Sequence, residues 1–175
     1  LHKNLNKAND KIFSESIEHE EYKGMGTTCV GILITKIGSY IFNVGDSRIY
    51  ADYSDGLIQM SEDHSVIAQL LREGKITIEQ AKTHLQKNTL TNALGIWHLF
   101  RIDINKIQSN YKYVLVCSDG LHGYVEHKVI QNIVESEKYS LQDKVNSLIL
   151  EARLAGGLDN CTVILFDNRL DEPYD

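Results

Sequence analysis

Hydrophobic residues in the first eighteen positions recur at steps close to the helical repeat. Leu1, Leu5, Ala8, Ile12 and Ile17 follow one another at intervals of about one helical turn, so they lie on one side of a helix. The pattern predicts an opening helix, which ends where the glycine-containing word GMGTT begins. No Ser, Thr, Asp or Asn precedes this helix as a cap, and the chain starts with Leu1 instead of Met. We therefore expect a fragment or processed product that lacks its original N-terminus.

Short runs rich in β-branched and aromatic residues follow and are separated by turn residues. Gly38-Ser39, Gly45-Asp46-Ser47 and Asp55-Gly56 stand between these runs, and such words are typical of tight turns between strands. This alternation predicts an antiparallel meander. The predicted strands are 27–35, 40–44, Arg48–Tyr53 and 57–60.

The second half of the chain alternates helical and strand-like patterns. Thr77 to Gln80 reads T-I-E-Q, a capping box that begins a short helix, whereas residues 83–95 have no period and predict an irregular segment. The predicted helices are 66–71, a short one from 77, 125–134 and 140–155, and the predicted strands are 101–107, 111–117 and 161–166. Many hairpin-linked strands with helices before and after them predict an α+β fold with antiparallel sheets.

Composition restricts the classes of function. The 175 residues carry a formal net charge of -6, which argues against nucleic-acid binding because that requires clustered Lys and Arg. No apolar run is long enough to span a membrane and no signal segment opens the chain. These features predict one domain over residues 1–175, located in the cytoplasm, without a nucleic-acid or membrane partner.

Three cysteines, Cys29, Cys117 and Cys161, lie in apolar runs without CxxC spacing. Buried, reduced thiols are the favoured interpretation. A metal ligand or a reactive thiol is the alternative, and the absence of a second Cys or His at ligand spacing weakens it.

Three aspartates lie in turns at predicted strand ends. Asp46 follows 40–44, Asp119 follows 111–117, and Asp159 precedes 161–166. Carboxylates at such places can bind Mg²⁺ or Mn²⁺, which prefer oxygen ligands and retain several waters. An aspartate in a glycine-containing turn more often bonds its own backbone, so position alone does not decide between the two interpretations.

The words around these aspartates decide between them. GMGTT at 24–28, NVGDSR at 43–48, DHS at 63–65, ALG at 93–95, CSDGL at 117–121 and GGLDNCT at 156–162 occur in that order. Together they resemble the metal-dependent protein phosphatases of the PP2C or PPM type, in particular the bacterial members. The resemblance extends from the opening helix to Phe166.

The resemblance implies a fold and a reaction. The fold is an α-β-β-α arrangement, in which outer helices enclose two antiparallel sheets, and residues 61–95 correspond to a flap. The reaction is hydrolysis of phosphoserine and phosphothreonine in proteins by a metal-activated water, with two or three Mn²⁺ or Mg²⁺ ions. By motif, Asp119 and Asp159 are catalytic metal ligands, Asp46 is associated with a third ion, and Asn160 orients water or ligands beside them. The substrate-binding residues are unknown.

Two departures from the family pattern bear on activity. The family's DG-x-GG word, whose aspartate bridges both metals, is absent, so we expect these 175 residues by themselves to bind metal poorly and hydrolyse little. His122-Gly123 replaces the pair often found after SDGL, which we interpret as variation on the substrate side. His64, in the DHS word, is predicted to make a structural hydrogen bond that holds its loop to the core.

Two classes of function follow. The favoured one is a protein serine/threonine phosphatase, a monomer that acts on phosphorylated proteins made by a cognate kinase. The alternative is a catalytically impaired, phosphatase-like domain that regulates a partner or binds phosphoproteins. The three aspartates favour the enzyme, because carboxylates that repel one another would tend to be lost once catalysis is lost.

Overall fold

The computed structural model of the chain describes residues 1–168. Within them it has six helices, seven strands and a short 3₁₀ turn at Glu20–Tyr22. The helices are α1 His2–Glu18, α2 Val66–Arg72, α3 Ile78–Lys82, α4 Asp119–His122, α5 His127–Glu135 and α6 Leu141–Leu154. The strands are β1 Cys29–Thr35, β2 Gly38–Val44, β3 Arg48–Tyr53, β4 Gly56–Gln59, β5 Asp103–Ile107, β6 Tyr113–Cys117 and β7 Val163–Asp167.

The strands form two sheets. One has the order β1-β2-β5 and the other the order β4-β3-β6-β7. In the four-stranded sheet every neighbouring pair is antiparallel, with Tyr50 opposite Gln59 on one side of β3 and opposite Leu115 on the other. The predicted α+β class with antiparallel sheets and helices is confirmed.

The residues group into two compact units. The first contains residues 1–30, 42–46 and 62–104, and the second contains residues 31–41, 47–61 and those from 105 onward. The single domain predicted over residues 1–175 stays a prediction. No helix within residues 1–168 has the length and apolar character that crossing a membrane requires.

Four predicted strands, those expected from 27, 101, 111 and 161, begin two residues later than expected. For the second and the fourth, side chains occupy the backbone groups that a sheet would use. The N–H of Arg101 donates to Oδ1 of Asn92 at 2.9 Å, and its carbonyl accepts from Nδ2 of the same residue at 2.8 Å. Strand β5 therefore begins at Asp103. Likewise, Thr162 N–H donates to the Ser118 hydroxyl at 3.0 Å, and β7 begins at Val163.

The local signals in the middle of the chain are confirmed. Thr77 and Gln80 form the predicted capping box at the start of α3, and residues 83–95 contain neither a helix nor a strand. The turn predicted at 118–120 is instead the start of a one-turn helix, α4.

The cysteines are free thiols. Cys117 is buried as predicted, whereas Cys29 and Cys161 are only half-buried. Cys161 lies before β7 instead of within it. Partial burial raises the pKa of both half-buried thiols, which disfavours the reactive thiolate form.

The core of the second unit forms where α5 and α6 cover β3, β6 and β7. Strand β6 is buried along its whole length, as its continuous apolar run predicts. Burial of each large apolar side chain of this kind stabilises a fold by about 1.5–3 kcal/mol. The most deeply buried members of the cluster include Tyr50, Leu115, Leu121, Ile130, Val134 and Leu148.

One charged residue, Lys144 of α6, lies inside this core with only 1% of its surface exposed. Its ammonium donates to the carbonyl of Val134 at 2.7 Å and lies 3.8 Å from the centre of the Tyr113 ring. Val134 is in the last turn of α5, where carbonyls lack partners within the helix. Lys144 of α6 therefore supplies the hydrogen-bond donor that a carbonyl at the end of α5 lacks.

Replacing Lys144 tests this role. We expect Lys144→Met to lower the free energy of unfolding by about 1–3 kcal/mol, because the Val134 carbonyl would be left buried without a donor and the cation–π contact would be lost. Urea unfolding measures the change. Lys138→Met, at an exposed lysine between α5 and α6, is the control and should stay within about 0.5 kcal/mol of wild type. Equal effects of the two substitutions would contradict the assigned role.

Asp52 of β3 gives this core a pH dependence. It is 4% exposed, and burial raises its pKa above the ordinary 3.8, with a further contribution from Glu135. Lys112 and Lys144 act in the opposite direction. The folded state thus binds the proton more tightly than the unfolded chain, so stability falls as the pH rises from about 3.8 through the raised pKa.

We expect Asp52→Asn to remove that fall. Relative to wild type, the variant should gain stability between about pH 3.5 and pH 7, as measured by urea unfolding across the range. The control is Asp55→Asn, at an exposed position in the same hairpin. A wild-type profile parallel to that of Asp52→Asn would show that Asp52 does not titrate as stated.

Candidate metal centre

Asp119 and Asp159 lie in the segments next to two paired strands, β6 and β7. Asp119 is the first residue of α4 and is separated from β6 by Ser118 alone, and Asp159 lies in the loop between α6 and β7. Both are exposed at the surface of the second unit. Strands β6 and β7 are paired, with Cys117 at the end of β6 opposite Val163 at the start of β7. The segment after β6 therefore meets the segment before β7.

Ser118 joins these two segments by three hydrogen bonds. Its backbone N–H donates to the carbonyl of Thr162 at 3.1 Å, and its hydroxyl accepts from the Thr162 N–H at 3.0 Å. The same hydroxyl donates to the carbonyl of Asn160 at 3.2 Å. The residue before Asp119 is thereby held to the residues after Asp159.

Gly120 permits the close approach. A Cβ at this position would lie 2.8 Å from the carbonyl carbon of Asn160, nearer still to the carbonyl oxygen, and 3.1 Å from the Cα of Cys161. Real side chains do not tolerate such distances to backbone atoms, so only glycine fits here. The glycine of the SDG word is therefore required sterically, because the backbone of Asn160 and Cys161, next to Asp159, lies against it.

The two carboxylates act on each other. Partial burial raises the pKa of Asp119, and the charge of Asp159 raises it further, since like charges disfavour ionisation. Hydrogen bonds from the N–H groups of Asp119 itself and of Gly120 act in the opposite direction. Asp159 is oriented by its neighbour, whose N–H donates to its Oδ1 at 2.7 Å.

This donor set fits part of a hard-cation site. Two carboxylates that repel each other at an exposed turn are the ligands that Mg²⁺ or Mn²⁺ prefers, with waters in the other positions, and a cation would offset the repulsion that raises the pKa of Asp119. Among residues 1–168 no cluster of three or more His, Cys, Asp or Glu side chains converges on one metal position. Asp119 and Asp159 would thus hold an ion as a pair.

Asp46 lies in the first unit, in the turn between β2 and β3. Gly45, before it, has a positive φ of 107°, and a Cβ there would lie 2.7 Å from the Cβ of Thr28. The turn is therefore tight and packs against Thr28, the residue before β1. The structure brings Asp119 and Asp159 together, and Asp46 belongs to the other unit.

His64 holds the Asp46 turn, and the predicted structural hydrogen bond is confirmed. The side chain is 2% exposed, and its Nδ1 accepts from the Gly45 N–H at 3.1 Å and from Nδ2 of Asn92 at 2.7 Å. Because Nδ1 accepts, Nε2 carries the proton and donates to Asp103 at 2.9 Å. The histidine therefore connects the DHS word, the GDSR turn and β5.

The sequence did not single out three residues that hold loops of the first unit by hydrogen bonds. Two of them, Asn92 and Asp103, bond to His64, and the third is Asn9. Asn9 of α1 is 1% exposed, and its side chain accepts from the Gly95 N–H at 2.8 Å and donates to the Trp97 carbonyl at 3.1 Å. A signal did exist, because Asn9 interrupts the apolar side of α1 between Leu5 and Ile12. A polar residue on an apolar stripe indicates a buried hydrogen bond.

Comparisons with known proteins match this chain to one family. A family model described as Protein phosphatase 2C matches residues 2–150. The serine/threonine phosphatase stp of Listeria welshimeri is 36% identical over 171 residues, which cover 97% of this chain and 68% of that protein. The chain thus spans about two thirds of the length of this relative.

Solved structures agree. The crystal structure of the serine/threonine phosphatase Stp1 from Staphylococcus aureus matches with a TM-score of 0.86 at 35% identity, covering 94% of this chain and 65% of that one. The catalytic domain of the phosphatase PstP, in complex with two manganese ions, matches with a TM-score of 0.78 at 28% identity, covering 91% and 66%.

Substitution of Gly120 tests the geometry of the aspartate pair. We expect Gly120→Ala to push the 118–121 turn away from Asn160 and to lower the free energy of unfolding by at least about 1–3 kcal/mol. In the full-length protein, at a temperature where the variant is folded, calorimetry should show a loss of Mn²⁺ affinity of about tenfold or more. Gly74→Asn is the control, because a Cβ there meets no atom within 4 Å and Asn tolerates the positive φ. Unchanged Mn²⁺ affinity in a folded Gly120→Ala variant would contradict the geometry.

Proposed function

Since this chain belongs to the protein phosphatase 2C family, we propose that the whole protein hydrolyses phosphoserine and phosphothreonine in phosphorylated proteins. The family is one of metal-dependent protein phosphatases, and the relatives named above are serine/threonine phosphatases. The observation that supports the proposal for this chain is the pair of carboxylates, Asp119 and Asp159, which Ser118 and Gly120 hold side by side.

The roles proposed for the residues follow the motifs of the family, and the chemistry of the side chains supports them. Asp119 and Asp159 bind divalent cations, Mn²⁺ or Mg²⁺, in a centre of two ions, and Asp46 is assigned to a third. When bound, such ions supply Lewis acidity and lower the pKa of water. Asn160 fixes Asp159 through its backbone N–H, and its side-chain amide orients water or ligands nearby.

The protein's own contribution is positioning. The carboxylates are supported by backbone contacts of β6, α4 and the loop before β7, so they need little reorganisation when cation and substrate bind. No nucleophilic side chain is required, because the attacking group is water. Residues 61–95 are assigned to a flap. The whole protein is proposed to be a cytoplasmic monomer that opposes a Ser/Thr kinase.

The metal ligands are tested by amide substitution in the full-length protein. We expect Asp119→Asn and Asp159→Asn each to lower kcat/KM for Mn²⁺-dependent hydrolysis of p-nitrophenyl phosphate by on the order of 100-fold or more, because each removes a charged ligand. Asp10→Asn, an exposed aspartate of α1, has the same change of charge and should leave kcat/KM within about twofold.

The same experiment decides between the two classes of function. Full activity of either ligand variant would show that the assignment is wrong. A wild-type protein that binds Mn²⁺ in calorimetry but releases no phosphate would support the regulatory, phosphatase-like alternative instead. The assay applied to residues 1–175 alone tests the expectation that this portion has little activity by itself.

A further inference from the structure

The turn that carries Asp46 in the first unit is enclosed by protein on almost every side. Of residues 43–47, Asn43, Val44, Gly45 and Ser47 are buried, and Asp46 is the one that is partly exposed. A carboxylate that reaches solvent from a buried backbone suits a hard cation, which takes oxygen ligands and retains several waters. The position of this carboxylate therefore depends on what fixes the residue before it.

His64 bonds both backbone groups of Gly45. The N–H of Gly45 donates to Nδ1 of His64 at 3.1 Å, and the carbonyl of Gly45 accepts from the backbone N–H of His64 at 3.0 Å. The first group belongs to the peptide plane that enters Gly45, and the second belongs to the plane that leads to Asp46. Because both planes are held, both dihedral angles of Gly45 are held, and with them the direction in which the chain enters Asp46.

Asn43 holds the same turn from its other side. Its Nδ2 donates to the carbonyl of Gly45 at 3.0 Å and to the carbonyl of Glu62 at 2.8 Å. Glu62 is two residues before His64 in the chain. The Asp46 turn and the segment 62–64 are thus joined by one buried histidine and one buried asparagine.

Asn43 makes these bonds at a cost. Its Oδ1 is the one buried side-chain oxygen or nitrogen within residues 1–168 that has no hydrogen-bond partner. A buried acceptor without a donor is unfavourable, and an apolar side chain of similar size would avoid it but could not donate to Gly45. Unsatisfied buried groups of this kind are typical of places where function requires a particular geometry.

The ring of His64 is itself held in one orientation. Its Nε2 donates to Asp103 at 2.9 Å, and Asp103 also pairs with Nε of Arg101 at 2.9 Å. Its Nδ1 accepts a second hydrogen bond from Nδ2 of Asn92 at 2.7 Å. Because the proton is kept at Nε2, Nδ1 remains an acceptor for the Gly45 N–H.

We propose that His64 and Asn43 are positioning residues for Asp46. By holding both peptide planes of Gly45, they fix the direction of the Asp46 carboxylate and thereby set the affinity of this turn for a divalent cation. The proposal rests on the function and on the assignment of Asp46 proposed above. His64 acts through Gly45 and binds no cation itself, because one of its ring nitrogens carries a proton and the other accepts hydrogen bonds. Residues that orient a metal ligand in this way typically change metal affinity by about 10–100-fold.

Two substitutions of His64 separate positioning from stability. Asn has an oxygen where His has Nδ1, so His64→Asn keeps an acceptor for the Gly45 N–H but loses the donor to Asp103. Gln has an amide nitrogen near the place of Nε2, so His64→Gln keeps the donor to Asp103 but loses the acceptor for Gly45. Both remove an imidazole from the same buried place, so their urea-unfolding midpoints should fall by similar amounts.

Calorimetric titration of the full-length protein with Mn²⁺, without substrate, measures the effect on the cation. Asp46→Asn first identifies the binding step that depends on Asp46. For that step we expect His64→Gln to weaken binding by about tenfold or more, and His64→Asn to stay within about threefold of wild type. His2→Gln, at an exposed histidine of α1, is the control and should bind as wild type does.

Three outcomes would overturn the proposal. Equal losses of affinity in the two His64 variants would show a structural role alone, and unchanged affinity in His64→Gln would show no role at all. If Asp46→Asn altered no Mn²⁺ step, the assignment of Asp46 would fall and this proposal with it. Because the titration contains no substrate, a protein that fails to hydrolyse p-nitrophenyl phosphate would refute the phosphatase function without deciding this test.

A variant outside the buried turn keeps the test available if His64→Gln does not fold. The Asp103 side chain is 25% exposed, and Asp103→Ala removes the acceptor that keeps the proton of His64 at Nε2. We expect the Asp46-dependent Mn²⁺ step to weaken by about threefold or more. Asp10→Ala, at an exposed aspartate of α1, should leave it unchanged, and equal affinities of the two variants would contradict the proposal.

Discussion

The backbone contact between Gly120 and Asn160 is the constraint on which the candidate metal centre depends. At that contact a turn after one buried strand touches the loop before its neighbour, and no side chain fits between them. Ser118 secures the approach with hydrogen bonds to Asn160 and Thr162. Without this close approach, the carboxylates of Asp119 and Asp159 would lie on separate segments and could not share a cation.

Hydrogen bonds of buried polar side chains fix irregular segments within each of the two units. In the first unit His64 and Asn9 are nearly inaccessible and spend their donors and acceptors on loop backbone. In the second unit Lys144 satisfies the end of α5. Because a buried polar group without a partner costs about 1–3 kcal/mol, each of these residues commits its loop or helix end to one conformation.

Helix α4 serves two purposes over a single turn. Its first residue, Asp119, belongs to the proposed metal centre, and its last, His122, lines a cavity of the second unit. Leu121 between them is fully buried in the core, which fixes the orientation of both.

The sequence by itself determined the order and type of most elements, because apolar period, turn residues and capping signals act within a few residues of one another. Its ordered words also identified the family. Only the tertiary structure decided that Asp119 and Asp159 meet, since the contact that joins them connects Ser118 and Asn160, 42 positions apart. It likewise decided where β5 and β7 begin, because Asn92 and Ser118 occupy backbone groups that strand propensity alone assigns to a sheet.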